Sequence, residues 1–226
     1  MKRDINSLIG YKIAATDGEL GEVTDFYFDD KAWTIRYLIV ETGTWLNHRK
    51  VLISPEAVLK DFRTPGKFNV SLTVDQIRNS PDIDTQLPVS RQQREILHKH
   101  HAWENYWEAN IFGGGDVGTS IAATEEEEVE RIKNLDIHLR SAMQVSGYHV
   151  HASDGELGHV NNFILEDATW KINQLVIDTA KWIGGHKVMV DVGHVEAVQW
   201  YNLEVFLDIN KEALDNSTEY EPIPVL

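Results

Sequence analysis

Cysteine is absent from this chain of 226 residues. Disulfide staples, thiol nucleophiles and thiolate metal sites are thereby excluded, and a small secreted framework held by disulfides is disfavoured. Basic residues are scarce: 21 Lys and Arg stand against 36 Asp and Glu, for a formal net charge of −15. Phosphate backbones are bound by clustered Lys and Arg, so nucleic acid is not an expected partner. Long apolar runs are missing as well. No stretch approaches the roughly 18 residues of a membrane span, and the opening MKRDINSLIG lacks the apolar core of a signal peptide. The expectation is a soluble, cytoplasmic protein with no transmembrane segment. Catalytic signatures are absent too. FGGGDVG at 112–118 does not lie between the strand and helix of a βαβ unit, so it is no phosphate loop. No serine sits in a nucleophile elbow, and spacing alone assigns no carboxylate pair to a common cleft. A protein that is not an enzyme and carries no cofactor is expected.

What the chain does contain is a phrase written twice. ATDGELGEVTDF occupies 15–26 and ASDGELGHVNNF occupies 152–163. Adding 137 to a first-half position gives its partner: Gly10 meets Gly147, Trp33 meets Trp170, Trp45 meets Trp182 and Lys50 meets Lys187. From Gly10 to Ile53 no gap is needed, and 18 of those 44 positions are identical, which marks a duplication of one unit. Beyond it the match loosens; VSLTVDQI at 70–77 aligns with VFLDINKEA at 205–213 only through a short deletion.

Each unit reads as β-structure. GYKIAAT and GEVTDFYF are rich in β-branched and aromatic residues and flank Asp-Gly turn chemistry. Pairing Ile13 with Val23 predicts a three-residue loop, 17–19, with Gly18 and Gly155 supplying positive φ. The apolar phase slips between Val23, Phe26 and Phe28, which predicts a bulge. WTIRYLIVET, KVLIS and FNVSL, with their second-half counterparts, supply three more strands. Five or six short strands in about 70 residues predict a small closed or nearly closed barrel. Thr73 and Gln76 form a capping-box pattern, so a short helix follows. The predicted fold is mainly β: a first barrel at 1–78, a linker at 79–140 and a second barrel at 141–226. Within the linker, SRQQREILHKHHAWENYWEA is helix-compatible, with Ser90 as N-cap.

The order Gly-Tyr, Asp-Gly-Glu-Leu-Gly-x-Val, Asp-x-Phe, Trp-x-Ile and then KVLISP resembles the PRC-barrel family. That family takes its name from the cytoplasmic domain of the photosynthetic reaction centre H subunit, and it includes a domain of a ribosome maturation factor. The likeness covers about 10–77 and 147–214. PVSRQ and IHLRSAMQVSGYH are similar to the two-barrel, H-subunit-like bacterial subgroup. The resemblance implies an adaptor or interaction role. This chain shows neither the membrane helix of the H subunit nor the N-terminal domain of the ribosome factor, so it is expected to be neither protein.

Three groups of residues are candidate sites. Asp17 and Glu19 of the repeated turn could present oxygens, but a calcium loop needs more carboxylates at set spacing, so turn chemistry is the simpler account. His149 and His151 share a strand face, and in the predicted register His151 lies opposite His159. Three imidazoles together are a candidate metal site of the kind zinc takes. Lys12, Ala14 and Glu22 stand at the matching first-half positions. HKHHAWENYW at 98–107 places His98 and His101 at i, i+3, and Trp103, Tyr106 and Trp107 are candidate interface anchors. Trp45 and Trp182 occupy equivalent loops and are candidate interaction residues too. The leading expectation is a scaffold of two barrels binding a protein partner or itself, as a homodimer. An accessory protein of a photosynthetic or other membrane electron-transfer complex, peripherally associated, is a second reading. A metal or small-molecule binder is a third.

Overall fold

The computed structural model describes residues 1–43, 49–59, 65–79, 139–179, 186–199, 202–215 and 219–223. The chain divides into two compact units, residues 1–82 with 138–226, and residues 83–137. The second unit, with the expected aromatic helix, lies outside the described residues.

The fold is mainly β, as expected. The first half contributes β1 (Lys2–Asp4), α1 (Ile5–Leu8), β2 (Lys12–Ala15), β3 (Gly18–Asp29), β4 (Thr34–Glu41), β5 (Lys50–Ile53), a 3-10 turn at Pro55–Ala57, β6 (Lys67–Asn69) and α2 (Val74–Arg78). The second half contributes β7 (Leu139–Ser141), α3 (Ala142–Val145), β8 (His149–Ala152), β9 (Gly155–Glu166), β10 (Lys171–Asp178) and β11 (Lys187–Asp191). A 3-10 turn at Val192–His194, β12 (Val195–Gln199), β13 (Glu204–Leu207) and α4 (Lys211–Asp215) follow. The capping box on α2 forms: Thr73 accepts from the Gln76 N–H while the Gln76 side chain accepts from the Thr73 N–H.

The sheet is not closed. Its main path runs β12-β13-β8-β9-β10-β4-β3-β2-β6, with β1 added on β9, β11 on β10, β5 on β4 and β7 on β3. The closure expected within each half gives way to pairing between halves. There β10 meets β4 with Lys171 opposite Thr34. The Ile35 N–H donates to the Trp170 carbonyl at 2.8 Å and the Ile172 N–H to the Trp33 carbonyl at 2.7 Å. Backbone groups at a sheet edge must find partners, and these two edges satisfy each other.

The repeated turn differs from its expected form. Ala15 pairs with Gly18, Ala14 with Glu19 and Lys12 with Glu22. The loop is therefore two residues, Thr16-Asp17, and the register shifts within the strands instead. Gly18 is not in the left-handed region; Gly21 is, at φ 61°, as Gly155 is at φ 130°. A Cβ on Gly21 would stand 2.0 Å from the Glu41 carbonyl oxygen, and one on Gly158 2.0 Å from that of Asp178. The last glycine of each Asp-Gly-Glu-Leu-Gly thus lets the neighbouring strand cross at a bulge.

The aspartate of the phrase holds a helix. Asp17 accepts from the Val74 N–H at 2.7 Å, and Asp154 accepts from the Lys211 N–H at 3.1 Å. Asn210 accepts from the Ala213 N–H as Thr73 does from Gln76. All these positions differ by 137, so the offset continues through the terminal helices and the expected deletion does not exist. Helix N-terminal N–H groups need acceptors. Asp17→Ala removes one and should lower stability by about 1 kcal/mol, read as a shift in the urea midpoint at unchanged slope.

Each half sends its first strand into the other. β1 pairs with β9, Lys2 opposite Glu166 and Asp4 opposite Ile164. β7 pairs with β3, Leu139 opposite Asp29 and Ser141 opposite Tyr27. The two exchanges are related by the same offset of 137. One continuous core results, in which Phe28 lies 5.4 Å from Phe163 and Trp170 lies 6.5 Å from Phe26 and 5.9 Å from Phe68, ring centre to ring centre.

Candidate functional site

The histidines are arranged otherwise than expected. The register shift in β8–β9 places His149, not His151, opposite His159, while His151 faces Glu156. The shorter turn moves the pairing three residues from the expected register and the bulge returns one, so His159 meets His149. His149 Nδ1 lies 3.2 Å from Glu156 Oε1. His151 instead stacks on Phe206, rings 5.1 Å apart, with its Nε2 3.3 Å from Glu204 Oε1. The three imidazoles therefore do not converge. Among the described residues no group of three or more His, Asp or Glu is placed to hold a metal ion. Glu19 of the repeated turn pairs with Lys67. Trp45, Trp103, Tyr106, Trp107 and Trp182, with His98 and His101, lie outside the described residues.

Among the described residues, a set of polar contacts lies where the exchanged segments dock. Lys2–Asp4 with α1 forms one arm, and Leu139–Ser141 with α3 the other. Arg3 Nε stands 3.1 Å from Asp167 Oδ2, and Arg140 Nε stands 2.9 Å from Asp30 Oδ2. These are the same pair in the two halves, since 3 becomes 140 and 30 becomes 167. The N-terminal ammonium joins Asp167 at 2.7 Å. Burial pushes the Asp167 carboxyl up, but its hydrogen bonds to that ammonium and to Arg3 hold it below its usual value. Asp29 behaves alike: burial raises it, and the Ala32 N–H, the Arg36 guanidinium and the Lys31 N–H together bring it below.

One position further along each arm the pairs differ. Ser141 Oγ donates to Asp25 Oδ2 at 2.5 Å. Asp25 Oδ1 accepts from the N–H groups of Phe26 at 2.7 Å and Met143 at 3.1 Å. Burial is the main influence on this carboxyl and pushes it up, against those three hydrogen bonds. Tyr27 beside it is pushed up to about 12 by burial and by Asp25. In the other half Asn162 stands in place of Asp25, and Asp4 in place of Ser141. Asn162 Nδ2 donates to Asp4 Oδ1 at 3.1 Å. Its Oδ1 accepts from Phe163 and Asn6 N–H at 2.8 and 3.2 Å.

Asp4 also anchors the C-terminal segment. It accepts from Tyr220 Oη at 2.9 Å and from the Ile223 N–H at 3.0 Å. Burial and the adjoining Asp4 push the Tyr220 phenol up to about 12. Sequence reasoning missed this whole set. The available signal was the offset itself: carried upstream of Gly10 it aligns Arg3 with Arg140, and carried to the end of β3 it aligns Asp30 with Asp167.

Chemically, these sockets hold the chain's own arms. They offer carboxylate and amide oxygens to backbone N–H groups and a carboxylate to one guanidinium. No helix among the described residues is long and apolar enough to cross a membrane. No curated protein matches the chain. Residues 2–67, from the first arm to β6, match the PRC-barrel domain.

Proposed function

We propose that this chain is an interaction protein without a catalytic role, built of two PRC-barrel units from one duplication, and that it holds a protein partner or a second copy of itself. The match of residues 2–67 to the PRC-barrel domain carries this reading, since such domains generally serve as interaction modules. The common offset of strand pairings, arm docking and helix anchoring supports treating the second half as another such unit. The large apolar residues exposed among the described ones, Met1, Leu59, Met143 and Leu203, are scattered along the sequence. The reading therefore places the partner contact on the 98–107 segment, with Trp103, Tyr106 and Trp107 as anchors. Size-exclusion with light scattering and affinity capture test it. The expected result is a dimer or a reproducibly captured protein, lost in a Trp103→Ala/Trp107→Ala variant that keeps its fold. A strictly monomeric chain that captures nothing would overturn it.

A further inference from the structure

The two arms and their sockets share most of their contacts. Both arms present an arginine to a buried aspartate, Arg3 to Asp167 and Arg140 to Asp30. Both sockets offer one side-chain oxygen to the second residue of the arm's short helix, Asn6 or Met143. These contacts would hold either arm in either socket. One further pair would not, because Ser141 meets Asp25 in one socket whereas Asp4 meets Asn162 in the other. We propose that this pair is a polar code by which each socket selects the arm of the other half and rejects its own. It sets which segments of this chain, or of a second copy, can exchange.

The sign of the selection follows from charge. Placing the first arm in the first socket would bring the Asp4 carboxylate against the Asp25 carboxylate. Asp4 is buried and Asp25 lies under the docked arm, and two ionised carboxylates at hydrogen-bond distance away from water repel strongly. Placing the second arm in the second socket sets Ser141 against Asn162, which joins two neutral groups and loses a charge-assisted hydrogen bond. Self-pairing is therefore worse than cross-pairing in both sockets and worst for two first halves. Between copies, a first half can exchange arms with a second half, and two first halves cannot exchange with each other.

The test is a mutant cycle in the full chain. Ser141→Asp gives the second arm the polar residue of the first while leaving its socket unchanged. The charged and titratable groups around it are Asp25 and Tyr27 on β3, Lys50 on β5, and Arg140 on the arm with its partner Asp30. At pH 7 the melting temperature should fall by about 7 °C. The deficit should shrink as the pH is lowered toward about 4, near the ordinary carboxylate range. The folded state would then take up a proton that the unfolded state does not yet bind, so stability falls with rising pH. Asp25→Asn added to Ser141→Asp recreates the Asp4–Asn162 arrangement, and the amide oxygen introduced at position 25 can still accept from the Phe26 and Met143 N–H groups. The double variant should return to within about 3 °C of the parent with the pH dependence of the deficit gone. A double variant no more stable than Ser141→Asp overturns the proposal, as does Ser141→Asp with the parent's stability. If Ser141→Asp yields no folded protein, recovery of fold in the double variant supports the code, and failure of both overturns it.

Discussion

Gly21→Ala is expected to destabilise this protein by about 4 kcal/mol, lowering its melting temperature by roughly 12 °C. Two causes add. Gly21 sits at φ 61°, where a Cβ costs about 1 kcal/mol or more. That Cβ would also stand 2.0 Å from the Glu41 carbonyl oxygen and 2.9 Å from the Thr42 Cα. Both atoms are backbone, so no side chain can rotate away; β4 must separate from β3 at the bulge. Gly18→Ala is the matched control. It lies in the same phrase, but its Cβ would meet only Val74 Cγ2 at 3.3 Å, a flexible methyl. Thermal and urea unfolding of the two variants give the measurement. Equal effects at 21 and 18 would show that the turn, and not the bulge, carries the constraint.

Arg140→Met should cost a similar amount, about 4 kcal/mol, for an electrostatic reason. The side chains of Arg140 and Asp30 are only 13% and 7% exposed. Removing the guanidinium takes a cationic partner from a carboxylate poorly reached by water, and that penalty exceeds what the intact pair contributes over an apolar replacement. Adding Asp30→Leu should therefore recover most of the loss. Arg3→Met removes the guanidinium of the equivalent pair and leaves the N-terminal ammonium on Asp167. A loss at Arg140 that Asp30→Leu does not reduce would mean that the arginine acts through the packing of its stem rather than through the ion pair.

The histidines show where pattern reading stops. Alternation correctly puts His149 and His151 on one strand, since a strand's period is two. Which of them faces His159 depends on the length of the turn and on the bulge after it, and neither is set by alternation. Together they move the register by two residues, which exchanges His151 for His149. The capping box at Thr73 was legible because all its atoms lie within four residues. The role of Asp17 was half legible: turn chemistry was expected, but its acceptor function serves Val74, 57 positions away.

Sequence alone determined that this chain is mainly β, that 18 of 44 positions from Gly10 to Ile53 recur at an offset of 137, and where most strands and the helix after β6 lie. Those properties follow from local preferences: β-branched runs, turn residues and caps act over a few positions and need no partner to be read. Tertiary structure alone decided that the sheet stays open, that β4 joins β10, and that the arms at Lys2–Asp4 and Leu139–Ser141 cross to opposite halves. A three-residue strand carries no periodicity of its own. Its place is chosen by what it can bury and neutralise, and for Arg3 and Arg140 those acids lie in the other half.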